Sequence, residues 1–175
     1  MNLPPKCLVD TNVPIVANYA MKPDPNADFP PCCILACVEA IEHVIDTQGL
    51  ILDAGNEIYG EYSHKLNSWG PSIGDRFFKW VHDYRWMLDE SQRVPINPKD
   101  DTFVEFPSHR DLEDFDISDR KFVAVANTHE EKPPILQATD SKWWGWKEAL
   151  ADVDIEVCFL CAEYVEAKYA SKMGK

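Results

Sequence analysis

Four acidic side chains stand at positions where their chemistry could be combined. Two of them follow short apolar runs, one lies on a helical stripe and one opens a helix; they are Asp10, Asp140, Glu61 and Asp119. Converging carboxylates repel one another, so such a group is costly unless hard cations neutralise it. Oxygen ligands suit Mg²⁺ or Mn²⁺, and these ions activate water and stabilise charge on a phosphodiester. The pattern therefore favours metal-assisted hydrolysis.

Polar residues beside the first and last acids could contact a substrate. Thr11 and Asn12 follow the first acid, and Ser141 and Lys142 follow the last one. Hydroxyl, amide and ammonium groups are common donors to phosphate oxygens. We therefore expect these four side chains to contact phosphate or to complete a metal shell.

Each acid also has a purely structural interpretation. Asp10 could hydrogen-bond its own turn after a strand, and Asp140 could cap a following helix. A carboxylate such as Asp119 is favoured in the first turn of a helix by the helix dipole. Glu61 could pair with Lys65 at i+4, which is a weak exposed interaction. The sequence alone leaves these alternatives open.

Three further acids compete for the same roles. Asp116 lies three residues before one assigned acid, Glu57 lies four residues before another, and Asp53 ends an apolar run. All three are weaker candidates because the better placed acid lies close by in each case.

The spacing of apolar residues predicts strands that alternate with helices. Strands are predicted over residues 7–9, 50–52, 135–139 and 155–160, with a possible short edge strand over 94–96. Helices are predicted over 33–48 closed by Gly49, along Ile58, Tyr62 and Leu66, over 75–88, after an N-cap at Ser118, and over 162–172. We expect a polar turn over residues 10–12. This alternation is typical of a mostly parallel sheet covered on both faces, with ligands outside the carboxyl ends of the strands.

Length and charge narrow the class of protein. The chain has 175 residues and a net charge of −13, which predicts a single domain over 1–175 and argues against a basic nucleic-acid clamp. An acidic site can still bind phosphate through cations that its carboxylates hold. No run approaches the about 18 apolar residues of a membrane span, and residues 1–6 lack the apolar stretch of a signal peptide. We therefore expect a cytoplasmic protein with no membrane partner.

Four segments in order resemble those of the PIN-domain nucleases. They are Leu8-Val9-Asp10-Thr11-Asn12, Ile58-Tyr59-Gly60-Glu61, Asp119 to Ala126, and Ala138-Thr139-Asp140-Ser141. The resemblance implies a three-layer α/β/α sandwich with a central, mostly parallel sheet. It also implies divalent metal ions, with Asp10, Glu61, Asp119 and Asp140 as ligands and catalytic acids, and single-stranded RNA as substrate. Many members of the family are toxins with an antitoxin partner, and others act in RNA maturation or defence. A homodimer is compatible with the resemblance.

Two segments depart from the family pattern. An aromatic stretch around 67–107 is longer than a minimal member needs, and we interpret it as a helical and loop insert. Residues 142–146 read Lys-Trp-Trp-Gly-Trp where a second acid is expected. These tryptophans could stack unpaired bases or pack in the core.

A second hypothesis belongs to a different class. In it, the chain is a catalytically silent PIN-like module that binds RNA or a protein partner through its aromatic regions. A phosphatase that uses Asp10 as a nucleophile is less favoured, because Asn12 stands where an Asp-x-Asp pair would need an acid.

Overall fold

The computed structural model describes residues 2–173, and these form an α/β fold. The helices of the described residues are α1 (Asn12–Asn18), α2 (Pro31–Thr47), α3 (Glu57–Lys65), α4 (Ile73–Tyr84), α5 (Arg120–Thr128), α6 (Lys142–Ala151) and α7 (Ala162–Met173). The strands of the described residues are β1 (Leu8–Val9), β2 (Leu52–Asp53), β3 (Arg93–Val94), β4 (Pro98–Lys99), β5 (Thr102–Phe103), β6 (Ile135–Gln137) and β7 (Val157–Phe159).

Most of the strand pairings are parallel, and they form a small parallel sheet. β1 pairs with β6, which pairs with β7, and β2 pairs with β3, all in parallel. A parallel bridge between Cys7 and Leu50 joins β1 to the segment that leads into β2. β4 and β5 form a separate antiparallel pair. Since β1 has the segment that leads into β2 on one side and β6 on the other, the crevice at its carboxyl end is where an α/β sheet of this kind binds ligands.

Apolar packing fixes the helices around this sheet. Leu8 and Val9 of β1 and Ile135 and Leu136 of β6 are buried, as expected for parallel strands covered on both faces. On one side α1 contacts both α2 and α4. α5 contacts β2 and β6 through a nearly continuous buried surface, which runs from Lys121 to Ala126.

The prediction of a polar turn over residues 10–12 missed a helix. α1 begins at Asn12 and contains Pro14, which is tolerated in a first turn. Val13, Val16 and Ala17 are buried. This packing against α2 and α4 outweighs the low helix propensity of the β-branched residues.

Three predicted helix boundaries were wrong, and one of them is the end of α4, which lies at Tyr84 rather than at residue 88. α2 ends at Thr47, and Gln48 rather than Gly49 adopts the left-handed conformation, with φ of 53°. Ser118 does not cap α5, because it lies in a short 3₁₀ turn in which the Asp116 carboxylate accepts a hydrogen bond from the Ser118 backbone N–H. α5 then begins at Arg120.

The aromatic segment around 67–107 supplies α4, β3, β4 and β5. Phe77 and Val81 of α4 are buried in the core. The strand expected near residue 94 is present as β3, beside β2. Within residues 2–173, no helix combines the length and the apolar character that crossing a bilayer requires.

Gly49 tests the packing that places β1. A Cβ atom on Gly49 would lie 1.9 Å from the backbone oxygen of Pro5, so Gly49→Ala must displace the backbone that leads into β1. We expect a loss of about 1–3 kcal/mol in the free energy of unfolding, measured by urea titration. Gly60→Ala is the matched control: its Cβ meets no atom within 4 Å among the described residues. Replacing this helical glycine should stabilise the protein by about 0.5–1 kcal/mol. Equal effects of the two substitutions would contradict the packing argument.

Candidate active site

The first predicted acid is held at the carboxyl end of β1. The backbone N–H of Asp10 donates to the Leu136 oxygen at 3.0 Å, which continues the pairing of β1 with β6. The Asp10 carboxylate is only 1% exposed. Its Oδ1 accepts a hydrogen bond from the backbone N–H of Asn12 at 2.9 Å. The start of α1 therefore fixes the direction of this carboxylate.

Helices α3 and α5 bring a carboxylate and an ammonium group into contact. The Nζ atom of Lys121 lies 2.5 Å from Oε2 of Glu61, and the Lys121 side chain is only 11% exposed. The same ammonium donates to the Ser118 backbone oxygen. Lys121 therefore neutralises Glu61 in a largely buried ion pair.

Asp119 is oriented by a tryptophan of α6. The indole Nε1–H of Trp143 donates to Oδ2 of Asp119 at 3.1 Å, and Trp143 is fully buried. The other carboxylate oxygen, Oδ1, lies 3.3 Å from the Ser118 hydroxyl, whose single proton has a closer acceptor in Oδ1 of Asp116 at 2.8 Å. Oδ1 of Asp119 is therefore the more weakly held of its two oxygens.

The acids are close enough to perturb one another. Burial, followed by the charge of Asp119 and then that of Glu61, raises the pKa of Asp10 to about 8. Burial, followed by the charges of Asp116, Glu61 and Asp140, raises the pKa of Asp119 to about 6. Asp10, Glu61 and Asp119 are therefore near enough for their charges to interact, and Asp140 interacts with Asp119. We call Asp10, Glu61, Asp119 and Asp140 the acidic cluster.

Asp140 and its neighbours form the rim of the acidic cluster. Oδ1 of Asp140 accepts from the backbone N–H of Lys142 at 2.9 Å, so this acid also caps the start of α6. The Lys142 ammonium lies 2.7 Å from Oδ2 of Asp116, and this hydrogen bond holds the pKa of Asp116 below its ordinary value. Ser141 is buried, and its hydroxyl accepts from Lys172 at 2.9 Å.

The two residues that follow Asp10 have different environments. Thr11 is 4% exposed, and its hydroxyl has no hydrogen-bond partner among residues 2–173. Asn12 is half-buried and opens α1. The Thr11 hydroxyl is therefore a buried polar group, adjacent in sequence to Asp10, with its hydrogen-bonding capacity unused.

Two of the competing acids lie outside the acidic cluster. Both carboxylate oxygens of Asp53 accept backbone hydrogen bonds at 2.8 Å, from Glu57 and from Ile58. Asp53 thus caps the start of α3. Glu57 is exposed on the first turn of that helix. The third competitor, Asp116, does act on Asp119.

Sequence reasoning assigned Tyr62 only to the apolar stripe of its helix. Its hydroxyl donates to the Val9 backbone oxygen, directly before Asp10, and the ring is fully buried. Burial, together with the charges of Asp10 and Glu61, raises the pKa of Tyr62 well above its ordinary value. A buried tyrosine hydroxyl usually finds a hydrogen-bond partner, and that tendency was the available signal.

The tryptophans after Asp140 pack against apolar side chains. Trp143 is fully buried, whereas Trp144 and Trp146 are half-buried. The Trp144 ring lies 5.0 Å from that of Phe159, and the Trp146 ring lies 4.7 Å from that of Phe115. The structure therefore supports the packing interpretation of these residues over base stacking.

The donor chemistry of the acidic cluster fits a hard divalent cation. Its ligands would be carboxylate oxygens, and the unused hydroxyl of Thr11 lies beside Asp10. As they stand, the side chains of residues 2–173 include no group of three or more His, Cys, Asp or Glu arranged to hold a metal ion. A cation would have to compete with the Lys121 ammonium for Glu61.

The fold and the site together define an α/β protein with an acidic cluster, of which Asp10 is buried and the other members are half-buried, at the carboxyl end of a parallel sheet. No protein-family model, curated protein or solved structure matches the chain. The function is therefore argued from the residues of the cluster.

Asp10→Asn tests the burial of like charges. The pKa of Asp10 rises from 3.8 to about 8 on folding, so the folded state binds this proton more tightly than the unfolded chain. Stability should therefore fall as pH rises from about 4 to about 8. Asp10→Asn removes the charge and keeps an acceptor for the Asn12 N–H. We expect its stabilising effect to grow by more than about 1.4 kcal/mol between pH 5 and pH 8, the equivalent of one pKa unit.

Urea unfolding in EDTA at both pH values measures this effect. Asp46→Asn, at an exposed position of α2, is the control and should shift stability little at either pH. An Asp10→Asn effect that is the same at pH 5 and pH 8 would show that the carboxylate is not buried among like charges.

Proposed function

We propose that the protein is a divalent-metal-dependent ribonuclease that hydrolyses phosphodiester bonds of single-stranded RNA, built as a PIN-like α/β/α sandwich. One observation carries the proposal: Asp10 is buried at the carboxyl end of β1 beside the like charges of Asp119 and Glu61. Such an arrangement is unfavourable by itself and becomes favourable when a cation is bound. The ordered resemblance to PIN-domain nucleases supports the same conclusion.

Asp10, Glu61, Asp119 and Asp140 would hold Mg²⁺ or Mn²⁺. When bound, the cation supplies an activated water and neutralises charge on the phosphodiester. The remaining chemistry belongs to the chain. The Trp143 indole holds Oδ2 of Asp119, which leaves the more weakly held Oδ1 as the oxygen of this carboxylate that is available to a ligand.

The neighbours of the acids divide into contact and positioning groups. The unused hydroxyl of Thr11 and the side chain of Asn12 are proposed to contact the substrate, as is Lys142, whose exposed ammonium sits at the rim beside Asp116. Ser141 is buried and bonded to Lys172, so its proposed role is to position the start of α6.

Cleavage of single-stranded RNA tests the proposal. Wild-type protein should cut in Mn²⁺ or Mg²⁺ and stop cutting in EDTA. Asp10→Asn should lower the cleavage rate by about a hundredfold or more, because it replaces a carboxylate ligand of the cation with a neutral amide. The measurement is the rate of product formation from a labelled RNA panel, with a matching DNA panel to rank substrates.

Asp46→Asn is the charge-matched control and should cleave like the wild type. Circular dichroism confirms that each variant is folded. Cutting at the same rate by wild type and Asp10→Asn would rule out the assigned site, and folded wild type that cuts nothing in either metal would favour the binding module.

A specific contact supports that second candidate, a catalytically silent module that binds RNA or a protein. The Lys121 ammonium already neutralises Glu61 at 2.5 Å, so the chain carries a cation of its own within the acidic cluster. An ion pair of this kind stabilises the fold without metal. Under this hypothesis the cluster binds divalent ions weakly and has no turnover.

Lys121→Gln separates the two candidates. Removing the ammonium frees Glu61 and removes a positive charge that repels an incoming cation. If the cluster is a metal site, its Mn²⁺ affinity should therefore rise about tenfold, equivalent to about 1.4 kcal/mol. Electron paramagnetic resonance of free Mn²⁺ measures the affinity. Lys65→Gln is the control, since it removes an exposed ammonium from the same helix as Glu61. Weak Mn²⁺ binding by both variants and by wild type would favour the silent module.

The proposed setting is cytoplasmic, with an antitoxin, a defence-system protein or a second copy of the chain as partner. Exposed apolar side chains are available for such contacts: Trp69, Trp86 and Met87 are 89%, 58% and 75% exposed. Exposed aromatic residues are enriched where proteins bind one another.

A further inference from the structure

A cavity of about 500 Å³ lies outside the acidic cluster, between the β4–β5 pair and residues 106–120. Its volume is within the range of small-molecule binding sites. Lys99, Arg110 and Arg120 line it, against the single carboxylate of Glu113. In a chain with a net charge of −13, this concentration of cations is a local reversal of sign. The cavity is therefore suited to an anion.

One of these cations is held in position before any ligand arrives. Nε of Arg120 donates to the Phe115 backbone oxygen at 3.2 Å, and Nη2 donates to the Glu113 backbone oxygen at 2.7 Å. The guanidinium carbon lies 5.0 Å from the centre of the Phe106 ring. A guanidinium fixed in this way loses little conformational entropy when its remaining N–H groups bind a phosphate.

The rest of the lining suits a planar ring and its polar edge. Phe103 and Phe106 are half-buried and face the cavity. The buried hydroxyl of Thr102, which also lines the cavity, has no hydrogen-bond partner among residues 2–173. Aromatic rings stack on nucleobases, and an unsatisfied buried hydroxyl is free to bond a ligand.

We infer that this cavity binds a nucleotide unit, with the phosphate on Lys99, Arg110 and Arg120 and the base against Phe103 and Phe106. The unit is either a free mononucleotide or one nucleotide of a single strand, since both present the same phosphate and base. The strand form rests on the proposed nuclease function. Asp119 of the acidic cluster and Arg120 of the cavity are consecutive residues, so the cavity adjoins the acidic cluster at the start of α5.

The test measures binding in EDTA, so that no cleavage occurs. Fluorescence anisotropy follows a 5′-fluorescein-labelled 12-nucleotide single-stranded RNA, and isothermal titration calorimetry follows adenosine monophosphate. The test variant is Lys99→Ala/Arg110→Ala, whose exposed side chains make no hydrogen bond or ion pair within residues 2–173. Arg76→Ala/Lys79→Ala on α4 is the control with the same change in charge.

We expect the test variant to weaken binding about tenfold and to reduce the salt dependence of log K by about 1, as loss of one to two phosphate contacts requires. The control should bind like the wild type. Weakened binding of the mononucleotide identifies a free ligand, and weakened binding of the RNA alone identifies a strand.

Equal binding by wild type and test variant, equal weakening in the control, or no binding of either probe to wild type overturns the inference. These outcomes are independent of the cleavage assay. If the wild type cuts RNA and Lys99→Ala/Arg110→Ala leaves binding unchanged, the proposed function stands and the inference about the cavity is wrong. If the wild type binds through the cavity and does not cut RNA, the inference about the cavity stands and the proposed function is wrong.

Discussion

The burial of the Asp10 carboxylate beside other acids is the constraint on which the site depends. Placing this charge in a covered position at the end of β1 is unfavourable, and three contacts hold the acids of the cluster in position without a metal. The Asn12 N–H bonds Asp10, the Lys121 ammonium neutralises Glu61, and the Trp143 indole bonds Asp119. Each contact comes from a different helix, so the site exists only when α1, α5 and α6 are docked on the sheet.

The sequence was sufficient to find the acids that follow strands. Asp10 and Asp140 could be placed together because β1 and β6 are buried apolar runs, and their parallel pairing brings their carboxyl ends to one edge. The alternation of strands and helices likewise predicted the α/β class. Local patterns failed where tertiary packing decides the structure. Val13 and Val16 are helical in α1 because α1 packs against α2 and α4, and the residue types at positions 10–12 do not indicate this packing.

Contacts between distant parts of the chain could not be predicted from the sequence, for a related reason. Glu61 and Asp53 are both acids near the second strand, and their sequence positions do not distinguish them. Only the structure shows that both oxygens of Asp53 accept backbone hydrogen bonds at the start of α3, whereas Glu61 forms an ion pair with Lys121. The Trp143 indole reaches Asp119 only because α6 packs beside the 3₁₀ turn before α5. The residue type alone suggested that Trp143 packs in the core, but the direction of its indole N–H could be known only from the fold.

The start of α5 separates two regions of opposite charge. Asp119 turns toward the acidic cluster and Trp143, whereas Arg120 turns toward Phe106 and the cationic cavity. A net charge of −13 repels a polyanion at long range, so an acidic site alone would recruit RNA poorly. Salt screens that repulsion beyond a Debye length, about 8 Å at physiological ionic strength, so the fixed charges nearest a phosphate act on it most strongly. Under the proposed function, a cationic cavity beside the acids resolves the conflict between a phosphate substrate and an acidic protein, since one region would hold the strand and the other would act on it.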